Sequence, residues 1–131
     1  MKVLGLDYGR ARTGVAVSDP TGTIARPLCV VEKAATGDGL ARLAALIGEH
    51  EVDRIVVGLP LTLRGELGEQ ARETEQFIDA LSDVTNIPVF TFDERFTTDL
   101  AEQTPADAPE DARAAAHLLS GYLTWASSAP A

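Results

Sequence analysis

The sequence predicts an α/β fold, built on a mixed five-stranded sheet in the order 3-2-1-4-5 with helices on both faces. Two observations support this. Three short apolar segments, separated by turn residues, come first, and the rest of the chain alternates strand-like with helical segments. Short hairpin connections join antiparallel strands, whereas helical crossovers join parallel ones. If strand 1 is central, this order accommodates both kinds of connection.

The first three strands are predicted in the segments KVLGLDY, TGVAVSD and IARPLCVV. The connection GRAR between the first two is short and contains glycine, which predicts an antiparallel hairpin. In the second segment Val15 and Val17 alternate with Gly14 and Ala16, so the two pairs are expected on opposite faces. Pro27 predicts that the third strand lies at an edge or that the residue begins it, since proline cannot donate a ladder hydrogen bond.

The spacing of the apolar residues then becomes that of a helix in GLARLAALIGEH, where Leu40, Leu43 and Ile47 recur three or four positions apart. The segment DRIVVGLP predicts strand 4. The next helix is predicted in LGEQARETEQFIDALSD, with Phe77 flanking its apolar stripe. That stripe is expected to consist of Leu67, Ala71, Thr74, Ile78 and Leu81.

The segment NIPVFTFDE predicts strand 5, and TTDLAEQ predicts a brief helix. A last helix is predicted in PEDARAAAHLLSGYLTWA, with Tyr122 and Trp125 in the core. Residues 1–126 are expected to form one domain and residues 127–131 a frayed tail, because 131 residues suit a single core.

Composition excludes some classes of protein. No apolar run is long enough to span a membrane, and the first residues lack the pattern of a signal peptide. The single cysteine, Cys29, is expected to be a buried thiol in a reducing cytosol. The formal net charge of -9 argues against a broad basic surface for nucleic acid, but it leaves room for a local basic patch.

Acidic residues are expected to meet at one end of the sheet. Asp7 ends strand 1, Asp93 and Glu94 end strand 5, and Asp111 lies in the first turn of the last helix. Ligands of open α/β sheets bind beyond the carboxyl ends of parallel strands. Clustered carboxylates need a cation, and hard oxygen ligands suit Mg²⁺ or Mn²⁺. The pattern therefore predicts a metal site, with two ions as the arrangement suited to phosphodiester chemistry.

Four arginines are expected around the same end of the sheet. Arg10 and Arg12 flank the first turn, Arg64 follows strand 4, and Arg95 follows strand 5. We expect nucleic acid phosphates to be held by these side chains, because the chain as a whole is acidic. The alternative is that the four arginines are ordinary solvated surface residues without a role in binding.

The chain resembles the YqgF (RuvX) family, Holliday-junction-resolvase-like nucleases with the ribonuclease H fold. The resemblance rests on LGLDYGRARTGVAVSD, DRIVVGLPL, FDERFTT and DARAAAHLLSGYL. It implies a cytoplasmic bacterial nuclease that processes the 5′ end of pre-16S ribosomal RNA, with cleavage of branched DNA also implied. It further implies a catalytic, metal-binding acidic site at Asp7, Glu94 and Asp111.

The sequence departs from the family pattern in two loops. The segment TDLAEQTPADAPE is short and acidic where relatives carry a longer segment with lysine, and Thr62 stands where relatives carry asparagine. The first departure weakens the expected hold on nucleic acid from that side. The second alters a loop contact that the asparagine amide would make.

Two other functions stay open at this point. A sugar kinase or actin-like ATPase shares the turn in LDYGRARTG, but it requires a second subdomain for which 131 residues leave no room. A non-catalytic RNA- or ribosome-associated factor could retain the fold, and the acidic loop favours it somewhat. The sequence does not distinguish RNA from DNA as the substrate, or a monomer from a homodimer as the oligomeric state.

Overall fold

The computed structural model describes residues 1–60, 68–93 and 108–128 of the chain. Within them, five strands and three helices follow one another in the predicted order. The elements are β1 (Val3–Asp7), β2 (Arg12–Ser18), β3 (Ala25–Glu32), α1 (Gly37–Glu49), β4 (Arg54–Leu59), α2 (Glu69–Ser82), β5 (Val89–Asp93) and α3 (Glu110–Ser128). The brief helix predicted in residues 97–103 lies outside the described residues, as do residues 129–131.

The strands form one sheet in the order β3-β2-β1-β4-β5, which confirms the predicted order. β2 is antiparallel to both β1 and β3, whereas β4 is parallel to both β1 and β5. β1 is the middle strand. Its carboxyl end therefore lies at the same edge of the sheet as those of β4 and β5.

The two faces of the sheet carry separate cores, and helices cover both faces as predicted. Leu43 of α1 and Phe77 of α2 pack with Leu6 and Val57 on one face. On the other face α3 packs mainly across β1, β2 and β3. Below, these are called the α2 face and the α3 face.

The third strand is an edge strand, which confirms the prediction from Pro27. The β2–β3 register passes from Val15 opposite Cys29 to Ala16 opposite Pro27, so a bulge skips Leu28 beside the proline. The prediction of a buried Cys29 was wrong, since this residue is only partly buried. An edge strand is covered on fewer sides than a central one, yet the partial burial still raises the pKa of the Cys29 thiol.

Two aromatic residues lie differently from their predicted places. Phe77 is in the centre of the buried stripe of α2, stacked on Tyr8 at 4.5 Å between ring centroids, and Ile78 flanks it. Helical spacing allows either residue in the stripe, and the ring of Tyr8 selects Phe77. Trp125 is 55% exposed, whereas Tyr122 is buried as predicted. The indole contacts the rings of Tyr122 and Phe92 at the margin of the core.

In the described ranges, no helix combines the length and apolarity needed to cross a lipid bilayer.

We expect Asp19→Asn to lower stability in a pH-dependent way. The Asp19 carboxylate accepts hydrogen bonds from the backbone N–H groups of Ile24 (2.9 Å) and Thr23 (2.8 Å) and from the Thr21 hydroxyl. These bonds hold the pKa of Asp19 well below its usual range. A depressed folded-state pKa means that the contribution to stability is present above the unfolded pKa of about 3.9, and is lost as pH falls through the folded value.

Thermal unfolding of wild type and Asp19→Asn at neutral and acidic pH measures the stability that the Asp19 carboxylate contributes. The variant should have a lower melting temperature than wild type at pH 7, and this difference should narrow as pH falls below about 4. A difference in melting temperature that stays constant with pH would contradict the assignment of the effect to the carboxylate charge.

Candidate active site

Asp7 lies at the carboxyl end of the middle strand and on the α3 face of the sheet. Strand residues alternate between faces. Val3 belongs to the core under α3, and the Cα of Gly5 lies directly beneath Leu119 of that helix. Asp7 follows Gly5 by two positions and therefore shares its face. The next residue, Tyr8, lies on the α2 face.

The first turn of α3 rests directly on the strand beside Asp7. Gly14 of β2 is the cross-strand partner of Asp7. A Cβ added at Gly14 would lie only 1.8 Å from the backbone oxygen of Asp111. Opposed residues of antiparallel strands have Cα atoms about 4.5–5.5 Å apart. The backbone of Asp111 is thus held next to Asp7, and the two aspartates lie on one face at one end of the sheet.

Glycines in the strands permit this close packing. The structure shows that Gly5 and Gly14 provide the space, because a Cβ at either position would collide with α3. A glycine inside a strand often marks such an approach, so the signal was present in the sequence. Thr13, fully buried, was also missed; its hydroxyl lies 3.4 Å from the backbone N and O of Gly9 and supports the turn.

Arg12 stands on the same face as the two aspartates. It belongs to β2, two positions before Gly14, and its Nε lies 3.2 Å from Oδ2 of Asp111. The side chains are 65% and 42% exposed, respectively, so water and ions reach the pair. The structure therefore pairs Arg12 with Asp111 on the sheet face and at the sheet end where Asp7 lies.

Arg10 lies at the same end of the sheet, but its side chain points to the α2 face. Its guanidinium forms an ion pair with Glu73 of α2. The hydrogen bond to Glu73 and its charge raise the pKa of Arg10. The sequence predicted both arginines at this end of the sheet, and the structure adds that Arg10 pairs with a residue of α2 whereas Arg12 pairs with a residue of α3.

A cleft of about 460 Å³ lies between this turn and α2, lined by Tyr8, Gly9, Arg10, Gln70 and two acids of α2, Glu69 and Glu73. It lies on the α2 side and not beside the side chain of Asp7. The two aspartates at this end of the sheet lie on the α3 face, so this cleft is separate from them.

Asp93, the first of the two predicted acids of strand 5, is the last residue of β5. Phe92 belongs to the α3-face core, and Asp93 therefore lies on the opposite face from Asp7. Asp93 cannot easily join Asp7 and Asp111. Glu94, Arg64 and Arg95 lie outside the described residues, so their roles stay predictions.

The described residues fit part of a hard-cation site. Asp7 and Asp111 are both carboxylates on one face, and carboxylate oxygen is the donor that Mg²⁺ and Mn²⁺ prefer. Within residues 1–60, 68–93 and 108–128, no group of three or more potential ligands is assembled. The described residues therefore contribute two carboxylates to the predicted cation site, and one arginine lies beside them.

Comparison with known proteins gives concordant matches. The family model described as "RuvX: Holliday junction resolvase" matches residues 1–124. A protein from Chloroflexus aggregans named "Putative pre-16S rRNA nuclease" is 45% identical over 130 residues, covering 92% of each chain. A protein of the same name from Roseiflexus sp. is 43% identical over 116 residues, covering 86% of this chain and 82% of its own.

Solved structures share the fold. RuvC from T. thermophilus, in complex with a Holliday junction substrate, superposes with a TM-score of 0.70 at 17% identity, covering 97% of this chain and 95% of its own. The fowlpox virus resolvase, in complex with Holliday junction DNA, gives a TM-score of 0.58 at 13% identity, covering 95% and 97%. At these identities the likeness concerns the fold alone.

Proposed function

The chain belongs to the RuvX family of Holliday junction resolvases, and from that premise we propose that it is a metal-dependent nuclease acting at the carboxyl end of β1. The observation that supports the proposal is the contact of the Asp111 backbone with Gly14, the cross-strand partner of Asp7, which places both aspartates at one end of the α3 face. A module that only bound nucleic acid would gain nothing from two acids held together.

The proposed reaction adds water across a P–O ester bond of the nucleic acid backbone. Asp7, Asp111 and Glu94 would hold Mg²⁺ or Mn²⁺. A pair of such ions, when bound, would supply an activated water and would stabilise the negative charge that develops on the reacting oxygens. Asp7 is positioned by the middle strand, and Asp111 by the packing of α3. Neither side chain needs a loop to set its place.

Glu94 is assigned as the third acid from the family resemblance. The described residues add that Asp93 faces away from Asp7, and so leaves the role to another residue. Arg12, on the carboxylate side, is assigned to hold a phosphate of the substrate, with Arg10, Arg64 and Arg95 as further phosphate contacts.

The proposed substrate is the 5′ region of pre-16S ribosomal RNA, as the names of the relatives suggest, with branched DNA as the second substrate to be tested. The proposed location is the cytoplasm, where that RNA is processed. Cleavage of labelled precursor RNA and of junction DNA, each with Mg²⁺ and with Mn²⁺, tests the function. No cleavage of any substrate would favour the non-catalytic, RNA-associated alternative.

Adjacent substitutions test the assignment of the third acid. We expect Glu94→Gln to lower cleavage by about 100-fold or more, the scale of losing one group that stabilises charge in the transition state. Asp93→Asn removes the same charge one residue away and should retain cleavage, losing mainly stability. Cleavage rates and Mn²⁺ affinity of both variants measure this. An active Glu94→Gln with a folded but inactive Asp93→Asn would reverse the assignment.

A further inference from the structure

Arg12 has a second feature besides its proposed contact with a substrate phosphate. It holds an oxygen that the proposed metal site requires. Nε of Arg12 lies 3.2 Å from Oδ2 of Asp111, and Arg12 shares its sheet face with Gly14 and Asp7. A carboxylate oxygen that accepts a hydrogen bond from a guanidinium is a weaker ligand for a cation. Arg12 and a divalent cation therefore compete for the same group.

We propose that Arg12 is a regulatory residue that couples nucleic acid binding to metal binding. In the absence of substrate it holds Asp111. A substrate phosphate draws the guanidinium away, and Asp111 then becomes available to the cation. The inference rests on the proposed function, since it concerns the same carboxylates, and it adds that substrate and metal bind with positive coupling.

The chemistry of the guanidinium favours this exchange. Its planar fork matches the oxygens of a phosphate, and such bonds are strong because both partners are charged. The Arg12–Asp111 pair is exposed, and exposed ion pairs are weak, equivalent to at most about a fivefold change in an equilibrium constant. A phosphate can therefore displace Asp111 from Arg12 at low cost. Of Arg10 and Arg12, the two described arginines at this end of the sheet, Arg12 alone has this position, because Arg10 is paired with Glu73 of α2.

Coupling between two ligands is reciprocal. If nucleic acid releases Asp111, it must raise the affinity for the cation, and the cation must raise the affinity for nucleic acid by the same factor. Removal of the Arg12 guanidinium should then have two effects. It should raise Mn²⁺ affinity in the absence of nucleic acid, and it should abolish the further increase that nucleic acid produces.

The test measures Mn²⁺ affinity of the full chain by electron paramagnetic resonance of free Mn²⁺. Wild type, Arg12→Ala, Arg12→Gln and Arg42→Ala are compared, each with and without a single-stranded phosphorothioate RNA that resists cleavage. Mn²⁺ bound by the RNA alone is subtracted. Arg42→Ala is the matched control, because it removes the same charge from an exposed position of α1, which packs on the α2 face of the sheet and not on the face of Asp111.

We expect both Arg12 variants to bind Mn²⁺ about two- to fivefold more tightly than Arg42→Ala, the range that an exposed ion pair allows. The RNA should raise Mn²⁺ affinity in wild type and Arg42→Ala but not in the Arg12 variants. Equal affinities in the Arg12 and Arg42 variants, with wild type still binding Mn²⁺ and cleaving, would overturn the coupling alone. A wild type that binds no Mn²⁺ would overturn the proposed function as well.

Discussion

Asp7→Asn is expected to abolish metal-dependent cleavage, with a loss of at least about 100- to 1,000-fold, while the protein stays folded. Asp7 ends the middle strand and shares its face with Asp111. The amide has the size of the carboxylate but no charge, so it cannot help to neutralise a divalent cation. The backbone pairing of β1 with β2 and β4 does not depend on this side chain. Removing one of two neighbouring negative charges also lowers their repulsion.

Cleavage of labelled RNA and junction DNA, Mn²⁺ affinity and thermal unfolding together measure this outcome. Asp79→Asn is the matched control, since it makes the same substitution at an exposed position of α2. The control should cleave at the wild-type rate. Wild-type cleavage by Asp7→Asn would refute the mechanism proposed here, whatever the behaviour of the control.

Gly14→Ala is expected to cost roughly 2–3 kcal/mol of folding free energy, as overpacking typically does, and to impair cleavage without changing any acid. The added Cβ would lie 1.8 Å from the backbone oxygen and 2.4 Å from the backbone carbon of Asp111. Both atoms are backbone, so no side chain can move aside. The first turn of α3 must shift away from β2, and Asp111 must move with it.

Gly48→Ala is the matched control for this substitution. Gly48 lies in α1, and a Cβ there would meet nothing within 4 Å. The change should leave stability unaltered or raise it by about 0.5–1 kcal/mol, because alanine is the better helix former. Urea unfolding, Mn²⁺ affinity and cleavage measure both variants. A Gly14→Ala protein as stable as wild type, with unchanged Mn²⁺ affinity, would show that the contact does not position Asp111.

The order of elements and the sheet topology could be derived from the sequence because their signals are local. Apolar alternation around Val15 and Val17, the short turn before them and the proline of β3 each depend on a few neighbouring residues. The choice of crossover or hairpin then follows from connection length. The same reasoning put Asp7 at the end of a central strand, which is where the structure has it.

The partners of the side chains were decided only by the tertiary structure. Arg10 and Arg12 are two residues apart and look alike in the sequence, yet one pairs with Glu73 and the other with Asp111. Phe77, and not Ile78, fills the centre of the α2 stripe, because Tyr8 stacks on it from a distant part of the chain.

The closeness of Asp7 and Asp111 likewise depends on residues more than a hundred positions apart. Gly14 permits it by having no Cβ, and the contact exists only once α3 has packed across β1 and β2. Periodicity reports which face of an element is apolar, but not the depth or the register at which two elements meet. The sequence by itself therefore determined the sheet, its order and the acid at the end of β1. The packing of α3 on Gly14 decided how closely the backbone of Asp111 approaches that end of the sheet, and which arginine contacts it.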